Sequence, residues 1–576
     1  MRRYGTMLLV LLPLWSLTGC SGDHKTPDNT PKHDENLNHT KDRNNTTKTL
    51  AIDFKTIVLK NEAAYIPPMC YTKTEDERGM VHNPCFSCHT KSIAPNYVND
   101  GDFQTRYPFA KFTHTNRWTN LFVDRQKQID AISDKEILKY VNQSNYLDEQ
   151  GNIILKEKIT HHLPKAWDIF NTGKWYGYVP DCYFNFDNEG FDKNPKNNTP
   201  TGWRAFSYTP FLGTFWPTNG STDDVFIRLP KTFREDDQEE YNKEIYKINL
   251  AVLESLILKK DVDIETTDEK ELGYDLDGDG VFNMANHIAF DPDTIHFVGF
   301  AGKLQEDQKI HVVPGLFPVG TEFLHSVRYI TVEDGKNVTM AARMKELRYG
   351  IKGTWFSKKD LKDSTELEAL EQEAYPNRLR TFFGNIQIGI DNAQGWYYQG
   401  FIEDNKGALR PQTFEETVYC IGCHSGLGAT TDGVFAFPRK LSGKNTFHFG
   451  WAHALQMKGK TIPEPKRTDG KYEYSYYLKH NHAGDEFREN DEVIKKFFNT
   501  DGSLKQNMLD QLHKDISVLI YPSAKRALEL DKAYQVIVKE QSFVKGRDAT
   551  SKPVKNVLRK VNEDELTGVV KLLDAQ

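Results

Sequence analysis

Two copies of one five-residue pattern, Cys85-Phe86-Ser87-Cys88-His89 and Cys420-Ile421-Gly422-Cys423-His424, lie far apart in this chain of 576 residues. Each copy offers two thiols that stand one helical turn apart, followed directly by an imidazole. Covalent haem attachment uses this set, because the two thiols bond to one porphyrin and the adjacent histidine ligates its iron. The sequence therefore predicts two covalently bound haem c groups. The predicted attachment residues are Cys85, Cys88, Cys420 and Cys423, and the predicted proximal iron ligands are His89 and His424.

A Cys-x-x-Cys pair also occurs in thioredoxin-like redox dithiols and in zinc sites. Neither use requires a histidine directly after the second cysteine, and in this chain that histidine is present twice. A zinc site built from both pairs would need the two patterns to meet in space, and a redox dithiol is expected in one βαβ context only. Haem attachment is therefore the interpretation that both copies favour.

The first 20 residues are typical of a lipoprotein signal peptide. Arg2 and Arg3 precede an apolar run, and Leu17-Thr18-Gly19-Cys20 resembles the lipobox of bacterial lipoproteins. An ordinary signal peptide or an uncleaved anchor is the alternative, but the run is shorter than the roughly 20 apolar residues that span a bilayer. We predict that Cys20 is lipidated and that the protein lies in the cell envelope of a Gram-negative bacterium, facing the periplasm or exposed at the outer membrane.

Residues 21–50 are almost wholly polar, so they cannot bury enough apolar surface to fold, and we predict a disordered tether. The net charge of −7 gives no basic surface for nucleic acid. No later apolar run is long enough to cross a membrane. We therefore expect membrane association through the N-terminal lipid and partners outside the cytoplasm.

Two of the seven cysteines remain once lipidation and haem attachment have used the other five. These two, Cys70 and Cys182, predict a disulfide bond, because the compartment outside the cytoplasm is oxidising. Such a bond would close a long loop and stabilise the fold by restricting the unfolded chain. Ligation of a haem iron by one of the two thiols is the alternative.

An acidic loop, Asp275-Leu276-Asp277-Gly278-Asp279-Gly280, lies between the two haem patterns. Its alternating carboxylates and turn glycine match the first half of an EF-hand calcium loop. The match ends there, because position twelve is Asn286 instead of a bidentate glutamate. We predict one structural calcium ion held by Asp275, Asp277 and Asp279, with a plain acidic turn as the alternative. Further oxygen ligands are available from Asn283, Asn286, Asp291 and Asp293.

The activity of each haem depends on its sixth iron ligand, because methionine or histidine closes the iron for electron transfer whereas an open position admits small molecules. For the second haem the candidates, in order of preference, are His448, Met457 and His453. For the first haem His114 is preferred. The other candidates for the first haem are Met69, Met80, His82 and the His161–His162 pair.

The predicted fold class is α+β, with helical, cytochrome c-like haem-binding regions on either side of a mixed central section. Residues 51–230 form a first haem-binding region with aromatic-rich loops. Residues 231–375 form a central α+β section that carries the acidic loop. Residues 376–576 form a second haem-binding region and a helical C-terminal portion.

Local patterns predict individual elements. Ser133 and Glu136 form a capping box, which predicts a short helix after Ser133. Apolar residues at helical spacing predict a long helix over 236–259, and another helix is expected over 359–374. Alternating residues at 310–313 and 327–332 predict strands. Three C-terminal helices are predicted to begin at Ser503 with Gln506, at Pro522 and at Asn562.

Together with the leader, the two haem patterns resemble those of dihaem c-type cytochrome lipoproteins. The resemblance covers the two pentapeptides and the lipobox alone. It implies electron transfer outside the cytoplasm, to or from a redox partner protein or a small molecule. Dihaem peroxidases and dihaem oxygenases also carry two such patterns, so the alternative is a haem-dependent enzyme with one open iron. A haem-bearing binding or sensing module is the third hypothesis.

Overall fold

The architecture comes from a computed structural model, which describes residues 52–76, 78–91, 100–212, 216–483, 487–488 and 490–573. The predicted signal peptide, the predicted lipidation site Cys20 and the predicted tether lie outside these residues. From Ile52 onward the chain forms one compact unit. All three predicted sections contribute strands to a single large sheet within this unit.

That sheet has nine antiparallel strands and is the scaffold of the described structure. The described strands are β1 Thr74–Glu75, β2 Val81–His82, β3 Phe191–Lys193, β4 Pro200–Phe206, β5 Val225–Arg228, β6 Val262–Asp268, β7 Met284–Ile288, β8 Glu322–Glu333, β9 Asn337–Lys352, β10 Gly384–Asn385, β11 Gly389–Asp391, β12 Trp396–Glu403 and β13 Leu409–Pro411. The order in the large sheet is β10-β11-β12-β9-β8-β5-β4-β3, and β13 also pairs with β12. β1 pairs with β2, and β6 with β7, in two small separate sheets.

The α-helices precede, interrupt and follow the strands of the large sheet. In the described residues they are α1 Gln126–Asp130, α2 Asp134–Asn142, α3 Ile154–His161, α4 Lys243–Leu258, α5 Glu269–Leu272, α6 Gly299–Glu306, α7 Lys358–Ala374, α8 Phe414–Cys423, α9 Glu473–Asn481, α10 Asp491–Phe497, α11 Gln506–Leu512, α12 Ser517–Ile520 and α13 Ala524–Glu540. In that part of the chain no helix is long and apolar enough to cross a membrane.

Both faces of the central strands are buried, each against a different layer. Because successive side chains of a strand point to opposite faces, Leu324 of β8 packs in a cluster with Trp203 and Leu347, whereas its neighbour Phe323 packs in another. The cluster that contains Phe323 also includes residues of α4 and α8, so these helices cover that face of the sheet. The sheet therefore separates an aromatic core on one side from the layer that carries the second haem pattern.

The α+β prediction is confirmed, and α2 begins at the predicted capping box of Ser133 and Glu136. The first haem-binding region differs from the prediction, because the described part of residues 52–125 contains 3₁₀ turns and no α-helix. Two of these turns are Pro68–Tyr71 and Pro84–Ser87. A proline at the start of each turn disfavours helical backbone at the residue before it, so longer helices cannot extend through these positions.

Three other elements differ in position or type. The long helix begins at Lys243 instead of residue 236, because Asn242 caps it and the preceding residues form a turn in which Glu239 has a positive φ. Residues 310–313 form no strand. Asn562 begins no helix, since its side chain and backbone N–H donate to Glu565 within a loop. The helix predicted over 359–374 is confirmed as α7.

A fully buried ion pair joins the large sheet to the loop behind the second haem pattern. Lys352 Nζ at the end of β9 lies 2.6 Å from Asp432 Oδ1, and both side chains are inaccessible to solvent. Lys352 also donates to the Gln394 carbonyl, and Asp432 accepts from the Phe317 N–H. Burial raises the pKa of Asp432 and lowers that of Lys352. Removing one partner would therefore leave the other charge buried and uncompensated.

We expect Asp432→Asn to lower the free energy of unfolding by about 3–5 kcal/mol, because it breaks a buried pair and leaves Lys352 charged. Asparagine also tolerates the positive φ of this position. Denaturant unfolding of both proteins measures the difference. The double variant Lys352→Met/Asp432→Asn should recover part of the loss. Asp363→Asn, which removes an exposed pair with Lys359 on α7, is the control and should leave the midpoint unchanged.

Candidate haem cavity

Both Cys-x-x-Cys-His patterns line one cavity of about 1270 Å³. Its lining includes all four thiols and both histidines of the two patterns. Strands β8, β9 and β12 contribute one wall, and their cavity residues include Phe323, His325, Arg348 and Tyr398. The fold therefore brings together two motifs that the sequence keeps far apart.

The first pattern lies on a 3₁₀ turn. Asn83 precedes this turn, and its side chain accepts a hydrogen bond from the Cys85 N–H at 3.1 Å. The turn closes when the His89 N–H donates to the Cys85 carbonyl at 2.7 Å. These bonds place the two thiols and the imidazole on a short, tightly turned segment at the cavity wall.

The second pattern lies at the C-terminal end of α8. This helix begins with a capping box formed by Thr413 and Glu416, and it ends at Cys423, with His424 as the C-cap residue. The His424 N–H donates to the Cys420 carbonyl at 2.9 Å. The first part of α8 is buried against the sheet, so the helix holds its last turn and the three motif residues rigidly.

The first pattern is in backbone contact with the segment that follows the second. The Ala429 N–H donates to the Cys88 carbonyl at 3.1 Å. Gly428 allows this approach, because a Cβ at this position would overlap the Thr90 carbonyl. A Cβ at Gly422 would overlap the Tyr65 carbonyl, so the second pattern also packs closely against the chain at Tyr65. Gly422 is one of the two variable residues of the second pattern, so its small size has a structural reason.

Each motif histidine has its Nδ1 atom bound, which leaves Nε2 as the available ligand atom. His89 Nδ1 lies 2.7 Å from Asp100 Oδ2, and His424 Nδ1 lies 3.3 Å from the Gly433 carbonyl oxygen. Metal-ligating histidines commonly donate their second ring N–H to a carboxylate or carbonyl in this way. Burial, with a smaller contribution from the nearby His325, lowers the pKa of His424 to about 3. The neutral imidazole that iron requires is therefore the stable form of His424.

The chemistry of the cavity fits covalent haem. Its volume exceeds the roughly 300–1,000 Å³ of ordinary small-molecule sites. Three buried hydroxyls on its wall, those of Tyr107, Tyr398 and Tyr534, have no hydrogen-bond partner among the described residues. Buried polar groups are nearly always partnered, so these three suit a cavity that binds a further group. Four thiols, two oriented imidazoles and aromatic walls complete a donor set that suits two porphyrins.

Three of the four motif thiols lack the lowered pKa that is typical of a reactive redox dithiol. Burial raises the pKa of Cys85 to about 12 and also raises the pKa of Cys88 and Cys420. Reactive dithiols and zinc ligands depend on thiolates, which a raised pKa disfavours. In the described part of the chain, the group of acidic, histidine and cysteine side chains close enough to hold a metal ion contains no cysteine.

Comparison with known proteins adds the family. A lipoprotein family model, described as "-like lipoprotein", matches residues 54–516. The chain belongs to this lipoprotein family. A protein described as "Uncharacterized lipoprotein" from Aquifex aeolicus (strain VF5) is 30% identical over 560 residues, covering 88% of this chain and 90% of the relative. No solved structure matches the chain. The lipoprotein is thus a lipid-anchored protein of the cell envelope, as the leader predicts.

The structure does not bring the preferred distal candidates of the lipoprotein to the cavity, whereas Met69, another candidate for the first haem, lines it. None of His114, His448 and Met457 is among the described residues that line it. His114 Nε2 is bound to the Phe109 carbonyl at 3.0 Å. His448 packs against Phe447, and Met457 is buried in the 3₁₀ turn Ala454–Met457. His453, the remaining candidate for the second haem, is buried beside Asp224. Sequence proximity to the second pattern was therefore a poor guide.

The predicted disulfide between Cys70 and Cys182 is also absent. Cys182 is fully buried in the aromatic cluster on the far face of the sheet, where Tyr146 and Trp203 also pack. Cys70 instead packs against a different cluster and lines the cavity. The two thiols belong to different layers of the fold, so oxidising conditions alone do not join them.

Three cavity groups escaped the sequence analysis: His325, Asp223 and Tyr208. His325 shares the cavity face of β8 with Phe323 and Val327. A histidine in phase with the apolar residues of an alternating strand was the available signal. Asp223 and Tyr208 gave no comparable signal, because their segments have no repeating pattern.

The acidic loop has a partner that the sequence analysis missed. Glu269, Asp275 and Asp277 have ligand atoms within 4.8 Å of one another. Glu269 is buried and accepts from the N–H groups of Leu276 and Asn283, so it organises the loop from the preceding helix α5. Asp279 turns to the Val281 N–H and the Asn283 amide. The cluster that could hold a cation therefore contains Glu269 in place of Asp279.

A buried pair beneath the cavity gives a pH-dependent prediction. Asp224 accepts from Ser326 N–H and Oγ at 2.7 Å each, and its Oδ2 lies 3.0 Å from His453 Nε2. Burial alone would raise the pKa of Asp224, but the hydrogen bonds, led by that from His453, outweigh it and the pKa lies below its ordinary value. The ionised Asp224 carboxylate therefore stabilises the folded state fully above the unfolded-state pKa of about 4. This stabilisation is lost as the pH falls through the lower folded-state pKa of Asp224.

We expect Asp224→Asn to destabilise the lipoprotein at pH 6, and the difference from wild type should shrink as the pH falls below about 4. Denaturant unfolding at a series of pH values measures it. Asp334→Asn, in the exposed β8–β9 turn, is the matched control and should follow the wild-type curve. A constant difference at every pH would contradict the assigned role of the Asp224 carboxylate.

Proposed function

We propose that the lipoprotein is a dihaem c-type cytochrome that transfers electrons outside the cytoplasm, to or from a redox partner protein or a small molecule. The observation that carries the proposal is the convergence of two complete Cys-x-x-Cys-His motifs on one cavity. A motif that occurred by chance would not be expected to meet a second copy at the same wall with both histidines oriented.

The roles of the residues follow from their positions. Cys85 and Cys88 would hold one porphyrin through thioether bonds, and Cys420 and Cys423 would hold the other. His89 and His424 would ligate the two irons through Nε2, because Nδ1 of each is already bound. Haem, when bound, supplies a one-electron iron couple. The apolar and aromatic walls exclude water from the ligated histidines.

The backbone contact between the two motifs bears on how electrons move within the chain. Because the Ala429 N–H donates to the Cys88 carbonyl, the two attachment segments are fixed side by side. The proposal therefore places both redox groups in one cavity instead of in separate domains. Electron exchange between them would then need no partner protein.

The first experiment is haem stoichiometry of the lipoprotein produced with a cytochrome c maturation system. We expect two covalent haems per chain by intact mass and by haem absorbance. The double variants Cys85→Ser/Cys88→Ser and Cys420→Ser/Cys423→Ser should each retain one. Cys182→Ser, remote from the cavity, is the control and should retain two. A chain without covalent haem, or one that contains zinc instead, would overturn the proposal.

We also propose that the acidic loop binds one structural calcium ion through Glu269, Asp275 and Asp277. Their clustered carboxylates support this, since calcium prefers oxygen ligands. Calcium should raise the thermal unfolding midpoint, because it binds the folded state only, and a chelator should reverse the effect. Asp277→Asn should abolish the shift, whereas Glu271→Gln, at an exposed carboxylate of α5 outside the cluster, should keep it. A midpoint that does not respond to calcium would leave only an acidic turn.

A further inference from the structure

His325 is placed on the cavity wall by the alternation of β8. Phe323, His325 and Val327 line the cavity, whereas the intervening Leu324 belongs to the aromatic cluster on the opposite face. The side chain of His325 is 30% exposed, and the space that it faces is the cavity. Among the described lining residues it is the one histidine outside the two haem motifs.

The backbone around His325 is fixed by its neighbour. Ser326 donates both its N–H and its hydroxyl to Asp224 at 2.7 Å each. These two hydrogen bonds join residues 325–326 of β8 to residues 223–224, which directly precede β5. Because Asp223 is next to Asp224 and His325 is next to Ser326, the same hydrogen bonds also limit how far the backbones of Asp223 and His325 can move apart.

Asp223 lies on the Nδ1 side of the His325 imidazole. Asp223 Oδ2 lies 3.7 Å from His325 Nδ1, and its other oxygen accepts the hydroxyl of Tyr208. His325 and Asp223 both line the cavity. The pair consists of the same two groups as His89 and Asp100, at a longer separation than the 2.7 Å between those two, and a carboxylate near Nδ1 is the usual partner of a metal-ligating histidine.

The strand register relates His325 to the second haem motif. His325 pairs with Arg348 of β9, and Tyr398 of β12 pairs with Gly350 of the same strand. The ring of Tyr398 packs on the imidazole of His424, with centroids 4.7 Å apart. His325 is on β8, two strands away from β12, whose Tyr398 packs on His424. Neighbouring strands lie about 4.8 Å apart, so the two strands are about 10 Å apart. His89, in contrast, packs with Phe103 and Asp100 of the first region.

Other cavity residues with ligand atoms are less suited to this position. Lys345 Nζ donates to the Gly220 carbonyl and to the Ser221 hydroxyl. Met69 belongs to the 3₁₀ turn Pro68–Tyr71, which packs beside the first motif.

We propose that His325 is the sixth ligand of the iron bound by His424, with Asp223 and Tyr208 as the groups that position it. This inference rests on the proposed dihaem function and deepens it. A histidine on each side closes the iron to small molecules, so the second haem is an electron carrier and not a site for oxygen or peroxide. The lipoprotein thus contains a bis-histidine haem whose distal ligand comes from the large sheet.

The test uses the full-length, haem-loaded lipoprotein and compares wild type with His325→Ala by electron paramagnetic resonance and carbon monoxide binding. In wild type, we expect the His424 haem to be low-spin and carbon monoxide not to bind to it. In His325→Ala, one of the two haems should become high-spin and bind carbon monoxide. Added imidazole should restore the low-spin signal. His114→Ala, whose histidine is outside the cavity, is the matched control and should resemble wild type.

Two further variants keep the test decisive if His325→Ala folds poorly. His325→Met should remain low-spin and raise the midpoint potential of one haem, because methionine ligation raises haem potentials. Asp223→Asn should leave both haems six-coordinate but raise that potential, since a weaker partner lowers the basicity of the ligand. Two haems per chain with spectra unaffected by any His325 variant would overturn the ligand assignment. Failure to incorporate haem at all would instead overturn the proposed function.

Discussion

The hydrogen bond from the Ala429 N–H to the Cys88 carbonyl is the contact on which the candidate site depends. It holds the segment after the second Cys-x-x-Cys-His motif against the first motif, and Gly428 gives the backbone the room to approach. One motif lies on a 3₁₀ turn and the other at the end of a helix, so their local structures differ. The pairing is therefore a tertiary feature and not a repeat of one haem-binding unit.

The large sheet supplies the rigidity that such a pairing needs. Its strands β8, β9 and β12 form the cavity wall, and the same strands pack an aromatic core on their other face. At the end of β9, the buried pair of Lys352 and Asp432 fixes the loop that contains Gly433. The Gly433 carbonyl in turn binds Nδ1 of His424. A charged pair in the core thus acts, through one loop, on the orientation of a proposed iron ligand.

The two motif histidines are not equivalent as ligands. His89 is backed by the carboxylate of Asp100, whereas His424 is backed by a neutral carbonyl. A carboxylate partner makes an imidazole more basic, and ligand basicity is one of the means by which a protein sets the potential of a bound metal. If both histidines ligate haem iron as proposed, this difference in partners would give the two irons different potentials.

The amino-acid sequence by itself determined the local chemistry of this protein: the two motifs, the lipobox, the capping box at Ser133, and the α+β class. These depend on residues a few positions apart, so spacing alone reveals them. Only the tertiary structure decided which distant residues meet. It placed Cys70 and Cys182 in different layers, moved the distal candidates His114, His448 and Met457 away from the cavity, and brought His325 and Asp223 to it. Strand register and packing set these distances, and neither is written in the spacing of any single motif.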